Sequence, residues 1–169
     1  MQESIKKAFP LISQNACIEV TQFLDFEIID RQISRCILQE GHSESGHLWV
    51  SNQNKKQIHF LAIDKCLFFD NPIDPSRCDC ALFDENRICF VEIKESNKSN
   101  RRKRRIEAIE QLAKTINLFK DSGVESTQFD ALVCFSTYQA FPKRRNLDKE
   151  IEFLNNCGGF LYEGNLEEF

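Results

Sequence analysis

The chain has 169 residues, 41% apolar and 28% charged, with a net charge of −4. That length suits one domain, 1–169, able to bury roughly 70% of the surface its unfolded form exposes, so no disulfide is required for folding. The net charge excludes a polycation that coats nucleic acid by charge alone. No run reaches the roughly 18 apolar residues of a membrane span.

The opening residues, MQESIKKAFPLISQ, lack the apolar core of a secretory signal, which points to a cytoplasmic, reducing setting. The cysteines at 17, 36, 66, 78, 80, 89, 134 and 157 contain no CxxC pair. We expect them reduced and buried rather than joined or bound to zinc. Residues 16–40 mix helical and alternating spacing, and much of this stretch reads as helix. GHSESGH (Gly41 to His47) has loop composition, and His42 and His47 read as solvated. HLWVSN and QIHFLAID, separated by QNKK, predict a hairpin. KCLFF continues the apolar pattern, and DNPIDPSR (Asp70 to Arg77) reads as a loop.

Two short apolar runs follow, CDCALF and ICFVEIK, joined by the turn-like DENR (Asp84 to Arg87). A symmetric four-residue turn sets Phe83 against Ile88, so opposed residue numbers sum to 171. Asp79 then lies directly opposite Glu92, and Lys94 shares their face. Opposed Cβ atoms stand roughly 4.5–5.5 Å apart, so the two carboxylates repel unless something positive lies between them. A one-residue bulge would instead send them to opposite faces.

A basic run, KSNRRKRR (Lys98 to Arg105), leads into a helix over Arg101 to Lys120, with Ile106, Ile109, Ala113, Ile116 and Phe119 at helical spacing. Ser122-Gly123 ends it. FDALVCFSTY (Phe129 to Tyr138) predicts a buried strand. A second helix covers Leu147 to Asn156, with Leu147, Ile151 and Leu154 on one face, and FLYE predicts a last strand.

A divalent cation resolves the carboxylate repulsion. Mg²⁺ or Mn²⁺ favours oxygen ligands, here Asp79, Glu92 and the backbone carbonyl of Ile93. Lys94 on the same face can orient a water or stabilise a charged transition state. Lys98, Arg101, Arg102, Lys103, Arg104 and Arg105 can hold phosphates. The plainer alternatives are a cross-strand ion cluster and a solvated basic loop. The first leaves net negative charge in a buried spot; the second sets cations against a helix dipole. Gln111 reads as a solvated helix residue. Cys78 and Cys80, flanking Asp79, should face the core on the opposite side.

Asp79, twelve intervening residues, then Glu92-Ile93-Lys94 near the end of an apolar strand resembles the PD-(D/E)XK nuclease superfamily over about residues 58–138. The resemblance implies an α/β (α+β) fold with a restriction-endonuclease-like αβββαβ core, a mixed sheet flanked by helices. An N-terminal region, 1–57, and a C-terminal helix and strand, 139–169, would flank that core. It implies Asp79 and Glu92 as metal ligands and Lys94 as the catalytic lysine. The chain departs from the pattern at Cys78, where Pro is usual, and at Thr115, where some members pair Tyr with a residue placed like Gln111. An accessory carboxylate from upstream would be Glu40 or Glu27. The implied activity is Mg²⁺-dependent hydrolysis of phosphodiester bonds, in DNA, by a homodimer or a subunit of a larger complex. The alternative is an inactive nuclease-fold scaffold that binds nucleic acid or protein.

Overall fold

The computed structural model describes residues 1–43, 46–67, 77–95, 99–136, 142–145 and 147–169. Two short helices, α1 (Gln2–Ala8) and α2 (Leu11–Asn15), open the chain. Strands β1 (Ile18–Thr21), β2 (Asp25–Ile29) and β3 (Ile37–Glu40) follow. The helix expected over much of 16–40 is therefore corrected to three strands. Isoleucine, valine and threonine in this stretch favour a pleated surface; β1 pairs with the strand Ile58–Ala62 and β2 with the strand Leu48–Ser51, both later in the chain, while β3 folds back on β2.

Next come β4 (Leu48–Ser51) and β5 (Ile58–Ala62). They do not form the expected hairpin, because they belong to different sheets. Asn52, fully buried between them, bonds Phe23 O and Lys56 O through its amide and accepts the Lys56 N–H. It thereby turns the chain from one layer to the other. A kinked turn over Ile63–Leu67 follows, with Lys65 at positive φ, where the KCLFF pattern suggested extended chain.

Strands β6 (Cys80–Phe83) and β7 (Arg87–Lys94) are buried on both faces, as their unbroken apolar runs require. Their register pairs Phe83 with Ile88 and Cys80 with Val91, the sum of 171 expected from the turn. Helix α3 (Arg101–Asp121), strand β8 (Gln128–Phe135), a two-residue strand β9 (Arg144–Arg145), helix α4 (Leu147–Cys157), β10 (Phe160–Glu163) and β11 (Leu166–Glu168) complete the chain. Tyr138, in the expected β8, lies outside the described residues.

The result is a mixed α+β fold with two mixed sheets. The larger runs β1-β5-β6-β7-β8-β10-β9 and the smaller β11-β4-β2-β3. β7, β8 and β10 are mutually parallel. Helix α3 packs on one face of the large sheet, where Phe119 meets the ring of Phe90 edge-on at 4.9 Å. The small sheet covers the other face: the Cys134 thiol reaches the His47 carbonyl at 3.2 Å, and the Cys89 thiol faces Glu167 at 3.7 Å.

The expected stripe of α3 holds at Ile109, Ala113, Ile116 and Phe119 but is shifted at its start, while α4 buries a different stripe from the one its apolar spacing suggests. In α3 the buried positions are Ala108, Leu112, Thr115, Ile116 and Phe119, whereas Ile106 is 47% exposed. Thr115 can be buried because its hydroxyl donates to Gln111 O and accepts the Cys78 N–H. In α4, Glu150 and Phe153 are buried while Ile151 is 63% exposed. Glu150 tolerates this position by pairing with Arg145 at 2.8 Å.

Cys17 and Cys66 form a disulfide with Cα atoms 5.7 Å apart. This corrects the expectation that all cysteines are reduced; the other six are free and buried. No helix among the described residues is long and apolar enough to cross a membrane.

Candidate functional site

Strand β7 ends by presenting Glu92 and Lys94 on the α3 side. Glu92 is 1% exposed, and its Oε1 lies 2.5 Å from Lys94 Nζ. Lys94 also donates to Gln111 Oε1 at 2.8 Å, and the Gln111 amide donates to Arg77 O at 3.0 Å. Gln111 is therefore not the solvated residue its composition suggested. One turn of α3 separates it from Thr115, and together they tie the helix to the segment that carries Asp79.

Asp79 departs from the expected position opposite Glu92. The ladder stops at Cys80↔Val91, and the Asp79 N–H also turns to Val91 O at 3.1 Å. At this point the N–H groups of Ile63 and Asp64, in the kinked turn, both donate to Asp79 O, at 3.0 and 3.1 Å. Cys78 turns instead to α3, its N–H donating to Thr115. The expectation that Cys78 and Cys80 share one face ends with the ladder, although both are fully buried. The Asp79 carboxylate accepts the Ile93 N–H at 2.6 Å. In an extended strand, the carbonyl of Ile93 points to the same side as that N–H.

The two carboxylates remain electrostatic neighbours. Burial raises the Glu92 carboxyl well above its usual range; the charge of Asp79 adds to this and Lys94 opposes it. Burial pushes Asp79 up to about 7; the Ile93 N–H pulls it down, Asp30 pushes it up, and Lys94 and Asp64 act in opposite directions. Glu92 Oε2 is buried and has no hydrogen-bond partner among the described residues. Among the described residues Lys94 meets Glu92, and Lys65 pairs with Asp64 at 3.1 Å and also senses the charges of Asp30 and Asp79, so four carboxylates share two ammonium groups.

Asp30, Cys36 and Asp64 of this neighbourhood escape the sequence reading as site residues. Asp30, Cys36 and Asp79 bring ligand-type atoms within 4.8 Å of one another, and Asp64 is close enough for its charge to raise Asp79. Asp30 follows the apolar pair Ile28-Ile29 much as Glu92 follows ICFV, a signal hidden by reading the stretch as helix. Neither expected accessory carboxylate is here. Glu27 is buried and accepts the Ser43 N–H at 2.9 Å and the Ser43 hydroxyl. Gly46 packs so close that a Cβ there would run into the Glu27 carboxylate. Glu40 is exposed at the end of β3, the outer strand of the small sheet. The two loop histidines are also engaged: His47 Nδ1 accepts the Asp30 N–H at 3.0 Å, and His42 stacks on Trp49.

The basic run divides in two. Arg101 and Arg105 pair with Glu163 at 3.0 and 2.6 Å and lie over the Phe135 ring. Arg104 and Lys103 face Glu107 at 3.1 and 3.8 Å on the helix surface. Arg102 is exposed, without a carboxylate partner among the described residues. Lys98 lies outside the described residues. Later in the chain Lys143, which begins the short basic run Lys143 to Arg145, is structural: it and Arg87 both hold the buried Glu167 at 2.9 Å.

Compared with known proteins, the chain matches no family model, no curated protein and no solved structure.

Proposed function

We propose that the chain is a divalent-metal-dependent nuclease hydrolysing phosphodiester bonds in DNA, on a PD-(D/E)XK-type core, acting as a homodimer or as one subunit of a larger assembly. The observation that carries this reading is Glu92 Oε2, a buried carboxylate oxygen without a donor among the described residues, beside a second carboxylate. Leaving such a group unpaired is costly. A hard cation such as Mg²⁺ or Mn²⁺, which takes oxygen ligands, fits that donor set. Asp79 and Glu92 would hold it, with the Ile93 carbonyl facing the same side and Asp30 within reach of Asp79. When bound, such an ion lowers the pKa of a water and offsets phosphoryl charge.

The remaining work falls to the chain's own side chains. Lys94, held by Glu92 and Gln111, keeps an ammonium at the edge of the site, where it can hold a water or steady a phosphate oxygen as charge develops. Gln111 and Thr115 orient that edge through Arg77 O and the Cys78 N–H. Arg102, Lys103 and Arg104 present the outward charge that phosphates can meet. The test is cleavage of plasmid and single-stranded DNA in Mg²⁺ or Mn²⁺. Wild type should cut, chelator should stop it, and Asp79→Asn should be inert; equal products from both proteins would refute the reading.

One observation favours a second reading, a scaffold without catalysis: Lys94 already neutralises Glu92, and Arg101 and Arg105 already neutralise Glu163. Calorimetry separates the two, because a wild-type chain that takes up no Mn²⁺ is the scaffold.

A further inference from the structure

A cavity of about 330 Å³ opens at the carboxyl ends of the parallel strands β7, β8 and β10, where ligands settle in open α/β sheets. Its walls include Arg101, Phe135, Pro142, Arg144, Glu163 and Asn165. Lys94 and Phe135 are register partners, and Glu163 pairs with Val133, two residues earlier on the same strand. Side chains alternate, so Lys94, Phe135 and Glu163 share one face. The cavity therefore begins one strand over from Lys94.

The walls are built to hold one plane. The Arg101 guanidinium lies 4.2 Å over the Phe135 ring and is pinned at its edge by Glu163 at 3.0 Å. Phe135 is only 4% exposed, so the ring backs the guanidinium, and the guanidinium is the surface offered. Arg105 fixes Glu163 in turn with two bonds, at 2.6 and 2.9 Å. A carboxylate has about four acceptor positions; Arg101 and Arg105 use three, which leaves one for a ligand N–H. Arg144 is exposed at the rim, without a carboxylate partner within the 4.0 Å ion-pair distance among the described residues.

A free phosphate would meet the guanidinium charge but would have no use for the plane and could not donate to the open acceptor position of Glu163. A planar ring with an N–H donor, carried on a phosphate, uses all three features. The volume lies at the small end of ligand pockets, about right for a single nucleotide and too small for a base pair. We propose that this cavity takes one unpaired nucleobase of the strand whose phosphate lies at Lys94. The substrate is then single-stranded, or carries an unpaired nucleotide beside the bond that is cut. The position of that phosphate rests on the nuclease reading; the base pocket itself does not.

The test is equilibrium binding in chelator, by fluorescence anisotropy, of a single-stranded oligonucleotide and of the same sugar–phosphate strand made abasic throughout. Stacking predicts that wild type prefers the strand with bases by about tenfold or more. Arg101→Lys keeps the charge and removes the plane, so its two affinities should converge. Arg101 is 44% exposed, which makes folding of the variant a mild demand, checked by circular dichroism. Phe135→Leu, which removes the backing ring, should narrow the preference in the same way. A duplex with one unpaired internal nucleotide, set against a fully paired one, separates an extruded base from a free single strand as the source. Equal wild-type binding to the two single strands overturns the proposal, as does a full preference retained in Arg101→Lys. Cleavage in Mg²⁺ is scored separately. Cutting without a base preference rejects the pocket and leaves the nuclease; a base preference without cutting supports the pocket and rejects the nuclease.

Discussion

Lys94 Nζ stands 2.5 Å from Glu92 Oε1, the carboxylate two residues before it on the same face of β7, and bonds Gln111 on α3 with the same ammonium. The lysine is thus aimed by two groups and has one donor left. Lys94→Met should retain nucleic-acid binding and lose chemistry, by about 10²–10³-fold as for other donors to a developing oxyanion. Single-turnover cleavage at saturating substrate measures this directly. Gln111→Ala should lower the same rate less, because Glu92 still holds the ammonium.

Asp79 links the site to pH. Its carboxyl is raised from 3.8 to about 7, so between those values the folded chain binds more protons than the unfolded one. The share of metal-free stability carried by Asp79 should therefore fall as pH rises from about 4 to 7, and Glu92, whose carboxyl burial also raises, adds a fall of the same sign. Asp79→Asn keeps an acceptor for the Ile93 N–H and removes the charge. It should make that profile shallower between about pH 4 and 7 and stabilise the metal-free fold above pH 7 by roughly 1–3 kcal/mol. Urea unfolding at pH 5 and pH 8 is the check, and a variant with the wild-type slope would show that Asp79 does not carry it.

Divalent cations should raise the melting temperature of the wild type. A ligand confined to the folded state stabilises it by about 2.7 kcal/mol at a hundredfold excess over Kd. Because the ligands must lose protons to bind, the effect should grow as pH rises towards 7. Glu92→Gln should abolish it. A melting temperature that ignores Mg²⁺ and Mn²⁺ in both proteins would remove the metal from the site.

The arginines of α3 should separate by role. Replacing Arg102, Lys103 and Arg104 with Ser should weaken DNA binding and flatten its log–log salt dependence. The slope should drop by about 0.9 for each phosphate no longer neutralised on duplex, or about 0.7 on single strands. The fold should be unaffected, since these side chains point outward. Replacing Arg101 and Arg105 together should also destabilise the protein, because Glu163 would lose the two guanidinium groups that pair with it. Salt titrations alongside thermal melts distinguish the two sets.

The disulfide gives a further handle. Cys17 and Cys66 are 49 residues apart, and closing a loop of that length is worth about 2–4 kcal/mol. Reductant, or Cys17→Ser, should lower stability by that order. Cys66 lies two residues after Asp64, in the turn that bonds Asp79 O, so reduction should also weaken cation binding. A reduced protein with unchanged melting temperature would show that the bond adds no stability.

Much of the large sheet and of the site was legible in the chain itself. The β6–β7 register could be counted from DENR because side chains alternate strictly and a four-residue turn leaves one symmetric pairing. Glu92, Lys94 and the span of α3 follow from the same local rules. What local rules could not supply were the relations between distant segments. β2 is a strand because β3 and β4 pair with it, and β4 is completed by β11 from the far end of the chain. Thr115 joins the buried face of α3 through a polar contact, its hydroxyl accepting the Cys78 N–H, which no apolar spacing reveals. Asp79 leaves its counted position where its carbonyl bonds Ile63 and Asp64, outside the hairpin, while its N–H still bonds Val91 O. Asp30 and Cys36 reach it only once the small sheet lies across the large one. Periodicity reports the face a residue presents; which charges meet there is set by long-range packing, and in a buried site that packing decides where each proton resides.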